Sequence, residues 1–318
     1  MAANTIPSVD LKEFLSDDPA EKQKFVREIG TAFEEIGFVA LGGHFLSHQL
    51  VQELYSQIKA FFDLPQAVKD TYAVPGGGGQ RGYTSFGKEH AKGRTVGDLK
   101  EFWHFGQYLE EGSRFQGEYP GNVRVAELPR FNEVGKEVYM LLEKTAQYVL
   151  RALALHLKLE ETYFDGFIKE GNSILRPIHY PPITAEPKEA VRAAAHGDIN
   201  LITLLMGAHG KGLQVQNHEG QWIDAIAAPD QLMINVGDML SRHTNNKLKS
   251  TIHKVVNPPR ELWGSSRYSI PFFMHPVSEM PLNCLEHCVD VDHPILFEDI
   301  TAGEFLNERL VELGLLKK

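Results

Sequence analysis

One stretch of this chain forces distant parts of it together. His196-Gly-Asp198 puts an imidazole and a carboxylate two residues apart, His253 follows much later, and Arg267-Tyr-Ser269 comes after that. Alternate residues of a strand face one side, so one strand end can aim His196 and Asp198 at a single point. A third group for that point must return from elsewhere. The chain between Asp198 and His253 is long enough to run through several strands and come back beside the first. Its texture fits, with short apolar stretches at Ile174–Tyr180, Ile199–Met206, Gly212–Gln216, Gln221–Ile226, Gln231–Val236, Ser250–Val256 and Arg267–Met274. Asn217-His-Glu-Gly220 reads as a hairpin turn. Many short strands at this spacing predict a sandwich or barrel.

The residue types point to chemistry. The chain has 14 histidines, so one H-x-D means little alone, yet this is its only H-x-D or H-x-E. Two imidazoles and one carboxylate on one face of an iron leave positions open for other ligands, the site type of non-haem Fe(II) oxygenases. His196, Asp198 and His253 are therefore the candidate metal ligands. Arg267 and Ser269 share a strand face and open an apolar, aromatic run through Phe273 and Met274. An arginine buried there needs an anion, because an unpaired buried charge is costly. A carboxylate gripped by the guanidinium fork and a hydroxyl is the natural partner.

Ahead of the strands the pattern is helical. Asp17-Asp18-Pro19 starts a helix to about Glu35, and Ser47 caps another through Phe61-Phe62. A long amphipathic helix spans roughly Phe131 to Leu159, with Val134, Val138, Leu142, Val149 and Leu153 on its stripe. A last helix is predicted over Thr301–Leu316. The glycine run between Val74 and Gly82 reads as a loop near the site mouth, since no Lys-Ser or Lys-Thr follows to make a phosphate loop.

Over almost its whole length the chain resembles the isopenicillin N synthase-like family of Fe(II)/2-oxoglutarate-dependent dioxygenases. The resemblance is carried by Ile6-Pro-Ser-Val-Asp10-Leu, Ala32-Phe-Glu-Glu-Ile-Gly37-Phe38, Phe61-Phe-Asp-Leu-Pro65 with Lys69, Gly82-Tyr83, Asp98 to Gly106, Leu175-Arg-Pro-Ile-His-Tyr180-Pro-Pro182, and the ordered H-G-D, His253 and R-Y-S. It implies a mixed α/β chain with a mainly β core, a double-stranded β-helix (jelly roll) flanked by N-terminal helices. The division it suggests is an N-terminal region (1–120), a support-helix region (121–170), the oxygenase core (171–280) and a C-terminal extension (281–318). It implies Fe(II) on His196, Asp198 and His253, and 2-oxoglutarate on Arg267 and Ser269 with Tyr180 nearby. The implied activity is oxidation of a small-molecule C–H bond, by hydroxylation or desaturation, with release of succinate and CO2. Ile178 stands where many members carry asparagine, which removes a polar contact. The stretch Asn257–Ser266 is longer than in many members and is expected to form an extended hairpin loop. Phe273, Arg81 and Tyr83 are candidates for the substrate pocket, with Lys100 and His104 as weaker ones.

Other features bound the partners. The net charge of −10, with scattered lysines and arginines, argues against nucleic acid. No apolar run reaches membrane-span length, and no basic-then-apolar leader opens the sequence, so a cytoplasmic monomer or weak homodimer using O2 is expected. Cys284, His287, Cys288 and His293 do not have zinc-knuckle spacing and read as a loop. His243 reads as a loop residue rather than a fourth ligand. Two rivals stay open: an Fe(II) oxidase of this fold whose Arg267 and Ser269 hold the substrate's own carboxylate, and a non-catalytic ligand-binding protein.

Overall fold

The computed structural model describes residues 5–75, 80–88, 98–187, 190–207 and 212–312. Its helices are α1 (Leu11–Phe14), α2 (Pro19–Glu35), α3 (His48–Phe62), α4 (Gln66–Asp70), α5 (Pro129–His156), α6 (Asp165–Ile168), α7 (Asp238–His243) and α8 (Ala302–Glu312). Asp18 accepts from the Ala20 N–H at the start of α2, and Ser47 does the same for Leu50 in α3. Each satisfies a donor that the helix itself leaves unpaired. The long helix starts two residues before the predicted Phe131, because Pro129 fits its first turn. The end of the predicted last helix, beyond Glu312, and residues 76–79 of the glycine run lie outside the described residues.

Among the described residues, thirteen strands form two sheets. They are β1 (Ser8–Asp10), β2 (Phe38–Gly42), β3 (Gly82–Thr84), β4 (Glu101–Gly106), β5 (Ile174–Leu175), β6 (Ile178–Tyr180), β7 (Ala193–His196), β8 (Ile202–Met206), β9 (Leu213–Gln216), β10 (Trp222–Asp224), β11 (Leu232–Val236), β12 (His253–Val255) and β13 (Arg267–Met274). The larger sheet runs β1-β2-β11-β8-β13-β5-β4-β3, with β6 pairing β13 and β4. The smaller runs β10-β9-β12-β7. Of these strand pairs only β1–β2 is parallel. This is the jelly roll backed by helices.

The main core joins α2, α3 and α5 to one face of the larger sheet, with Phe25, Phe33, Phe61, Phe131 and Phe272 fully buried. Burying such a side chain contributes about 1.5–3 kcal/mol. A smaller core draws Phe38, Ala193, Leu213, Met233 and Val255 from strands of both sheets. It packs the inside of the roll and forms the floor of the site.

Two strand predictions and one loop prediction are corrected. Ile174–Tyr180 is two strands, because Pro177 has no N–H to continue the ladder. Ile199–Met206 begins only at Ile202, since the chain turns after His196. Asn257–Ser266 is not a hairpin: β12 and β13 lie in different sheets, and the stretch crosses between them with one 3-10 turn at Arg260–Leu262.

Candidate active site

The triad is assembled by strand register. In the antiparallel β12–β7 pair, His253 stands opposite His196, and the ring centres are 4.5 Å apart. Asp198 is not on the strand, as simple alternation predicts, but in the turn beyond it. Its backbone carbonyl accepts from Asp238 N at 2.7 Å, where α7 begins. Asp198 Oδ1 lies 3.8 Å from Nε2 of both His196 and His253. The three ligand atoms lie within 4.8 Å of one another.

Each candidate ligand is oriented from behind. His196 Nδ1 is 2.7 Å from the Ala194 carbonyl and His253 Nδ1 is 3.2 Å from the Thr251 carbonyl. A carbonyl only accepts, so Nδ1 carries a proton in both rings and Nε2 is the nitrogen left facing Asp198. Asp198 Oδ2 accepts from Thr203 Oγ1 at 2.6 Å and from Asn235 Nδ2 at 2.9 Å. That leaves Oδ1 for the cluster. Burial, then the neighbouring His253, hold the His196 pKa below its ordinary value, although 42% of its side chain is exposed. Burial works against an ionised Asp198. The two imidazoles and the bonds from Asn235 and Thr203 outweigh it, and its pKa is lowered. Two imidazole nitrogens and one carboxylate oxygen, open on one side, suit Fe(II).

Thr203 and Asn235 were not singled out in the sequence. Their signal was available: a lone polar residue in each of two apolar strands, Ile202–Met206 and Leu232–Val236. A buried polar group needs a partner.

The candidate acid-recognition residues sit on the facing sheet. Arg267 pairs with Tyr180 and Ser269 with Ile178 in the β13–β6 register. The Arg267 guanidinium carbon is 5.4 Å from the Tyr180 ring centre. Arg267 Nη1 is buried without a hydrogen-bond partner among the described residues, an arrangement that an anion would complete. Tyr180, Ile178, Ser269 and Phe273 line the same cavity as the triad.

Arg81 and Tyr83, the N-terminal candidates for the substrate pocket, are not among the residues lining that cavity. Arg81 is 1% exposed and donates to Pro120 O, Gln80 O and Asn172 Oδ1. The Tyr83 hydroxyl bonds Glu101, which also pairs with Lys69 at 2.9 Å and with His179 at 2.7 Å. Both side chains are committed to holding the N-terminal region on the roll. Lys100 and Arg176 do line the cavity. His104 acts from behind, accepting from Arg176 Nε, and the Arg176 guanidinium carbon lies 4.5 Å from the Phe102 ring centre and 5.2 Å from that of Phe273.

His243 ends helix α7 rather than lying in a loop, and bonds Tyr163 at 2.9 Å and the Asn283 carbonyl at 2.7 Å. Cys284 and Cys288 are free thiols. Among the described residues, His196, Asp198 and His253 are the one group with metal-binding geometry.

A jelly roll with two histidines and a carboxylate clustered between its sheets defines the class of 2-oxoglutarate–Fe(II) oxygenases, and the chain belongs to that family. The superfamily model matches residues 171–276, and the model of the N-terminal region of non-haem dioxygenases in morphine synthesis matches residues 6–125. The 2-oxoglutarate-Fe(II) type oxidoreductase hxnY of Emericella nidulans is 30% identical over 96% of this chain and 90% of its own. The crystal structure of a 2OG-Fe(II) oxygenase family protein from Caulobacter crescentus is 44% identical, with TM-score 0.89 over 98% of this chain and all of its own. A full-length Neurospora crassa protein solved in complex with alpha-KG is 30% identical, with TM-score 0.84 over 96% of both chains. The protein is thus an Fe(II)- and 2-oxoglutarate-dependent oxygenase that oxidises a small molecule with O2.

Proposed function

We propose that His196, Asp198 and His253 hold the Fe(II), and that Arg267 and Ser269, beside Tyr180, hold the distal carboxylate of 2-oxoglutarate. The observation that carries this is Asp198 Oδ1, equidistant at 3.8 Å from two inward Nε2 atoms while Oδ2 is tied down. Bound iron supplies O2 activation coupled to decarboxylation of the oxo-acid, yielding succinate and CO2. The chain's part is geometry and exclusion of water. Arg267 and Ser269 fix one end of the oxo-acid so that its other end meets the metal, and Phe38, Leu205, Leu213 and Val255 give the cavity an apolar stretch of wall. The substrate is a small molecule entering beside Phe273, where its C–H bond is hydroxylated or desaturated. The Neurospora crassa relative, also solved with alpha-KG and thymine, and a relative named proline hydroxylase fit that scale.

The same reading keeps the four regions 1–120, 121–170, 171–280 and 281–318. It sets the enzyme in the cytoplasm as a monomer or weak dimer without nucleic-acid or membrane partners. A net charge of −10 speaks against a nucleic-acid partner, and among the described residues no helix is long and apolar enough to cross a membrane.

The test is anaerobic titration of the Fe(II)-loaded protein with 2-oxoglutarate, followed in the visible spectrum. A weak charge-transfer band, then succinate release with substrate, is the expected result. Iron bound without a band would favour the oxidase in which Arg267 and Ser269 grip the substrate, a reading that Ile178 favours because it offers no polar contact in the cavity wall. No iron binding would favour the non-catalytic protein.

A further inference from the structure

Tyr180 has two arginines around it. Besides Arg267, Arg192 at the entry to β7 carries its guanidinium carbon 5.5 Å from the Tyr180 ring centre. Arg192 is 5% exposed. Its Nε, Arg267 Nη1 and the Tyr55 hydroxyl are all buried without a hydrogen-bond partner among the described residues. Tyr55 comes from α3 and reaches this end of β13 past Gly207. A Cβ on Gly207 would lie 2.8 Å from the Tyr55 hydroxyl oxygen and 3.7 Å from Ser269 Cα. Glycine here, at φ +91°, leaves room for the hydroxyl.

These groups are donors only, or donors foremost, and two of them are cations. Buried like charges disfavour each other and pay desolvation as well. Burial, then Arg267, lower the Arg192 pKa. Three orphaned buried donors in one region are costly unless a ligand with several acceptor sites completes them. A carboxylate accepts about four hydrogen bonds, and one negative charge suits two flanking guanidinia.

We infer that Arg192 and Tyr55 complete the oxo-acid site, so that the distal carboxylate is held by two guanidinia and two hydroxyls rather than by Arg267 and Ser269 alone. This rests on the reading of Arg267 and Ser269 as the oxo-acid residues. It makes the site selective for a dicarboxylic oxo-acid over one that ends in a methyl group.

The test measures binding of 2-oxoglutarate and of 2-oxobutyrate to the Fe(II)-loaded protein without O2, by calorimetry and the visible band, in Arg192→Met, Arg192→Lys, Tyr55→Phe and Arg267→Met. Arg192→Met should weaken 2-oxoglutarate about tenfold or more and Tyr55→Phe several-fold, the scale of a charged and a neutral hydrogen bond. Arg192→Lys should restore part of the loss, and 2-oxobutyrate should bind all three as it binds the parent. The ligand-free Arg192→Met protein should melt no lower than the parent, since a like-charge contact is relieved. Parental 2-oxoglutarate affinity in Arg192→Met with loss in Arg267→Met would overturn the inference and leave Arg192 as packing on Tyr180. Parental affinity in Arg267→Met as well would bring down the oxo-acid reading beneath it. If Arg192→Met does not fold, Arg192→Lys and Tyr55→Phe decide, and parental affinity in both overturns the inference.

Discussion

His253 faces His196 directly across an antiparallel strand pair, with ring centres 4.5 Å apart. Opposed residues in such a pair hold their Cβ atoms about 4.5–5.5 Å apart, which suits two ligands of one ion. A slip of one residue would turn His253 to the other face of the sheet. The metal site therefore depends on sheet register as much as on the presence of the histidines.

Thr203→Val keeps the side-chain shape and removes one of the two donors to Asp198 Oδ2. Partners behind a metal ligand typically contribute about 10–100-fold in affinity. We expect Fe(II) affinity, measured against a competing chelator, to fall by about tenfold, with the fold intact by circular dichroism. Unchanged iron affinity would show that Asn235 alone holds the carboxylate.

Arg267→Met should raise the KM for 2-oxoglutarate by about 100-fold, because a carboxylate loses a paired cation in a site shielded from water. The KM for the primary substrate should hardly move. Arg267→Ala with parental 2-oxoglutarate affinity would sink the assignment.

Glu143 gives a pH prediction. Burial raises its pKa to about 7, against a hydrogen bond with Gln107 that lowers it. Its ordinary value is 4.5, so between pH 4.5 and about 7 the folded state holds a proton that the unfolded state has released. This group's contribution is full below 4.5 and is lost as pH rises through about 7. Melting curves from about pH 5 to 8 should show Glu143→Gln gaining on the parent with rising pH. A constant difference across that range would mean that Glu143 titrates normally.

Gly30→Ala tests which of two effects wins in α2. Alanine is favoured over glycine in a helix by about 1 kcal/mol. Here an added Cβ would lie 2.1 Å from Nδ1 and 2.2 Å from Cγ of His156. The whole ring, which bonds Glu34 at 2.9 Å, must move. Overpacking of this kind costs about 1–3 kcal/mol, so a net loss of stability is expected in urea titration. A gain would show that His156 swings away freely.

Local chemistry made much of this protein legible in its sequence. The caps at Asp18 and Ser47, the stripe of α5, strand β13 from Arg267 to Met274 and the closeness of His196 to Asp198 all follow from neighbours a few residues apart. Where a local rule failed, a specific contact outweighed it. Pro177 broke one predicted strand into two, and the start of α7 drew Asp198 into a turn.

What the residues alone determined was the kind of chemistry, because imidazole, carboxylate and guanidinium groups carry their ligand preferences wherever they sit. What only the tertiary structure decided was which of them share a space. Arg81 and Tyr83 are polar and near the right motifs, yet their bonds to Asn172 and Glu101 hold them outside the cavity. That Thr203 and Asn235 both serve Asp198, and that Arg192 lies beside Tyr180, became visible only when strands far apart in sequence were packed together. Convergence is set by strand pairing and by the need to satisfy buried polar groups, and neither is a property of any one segment.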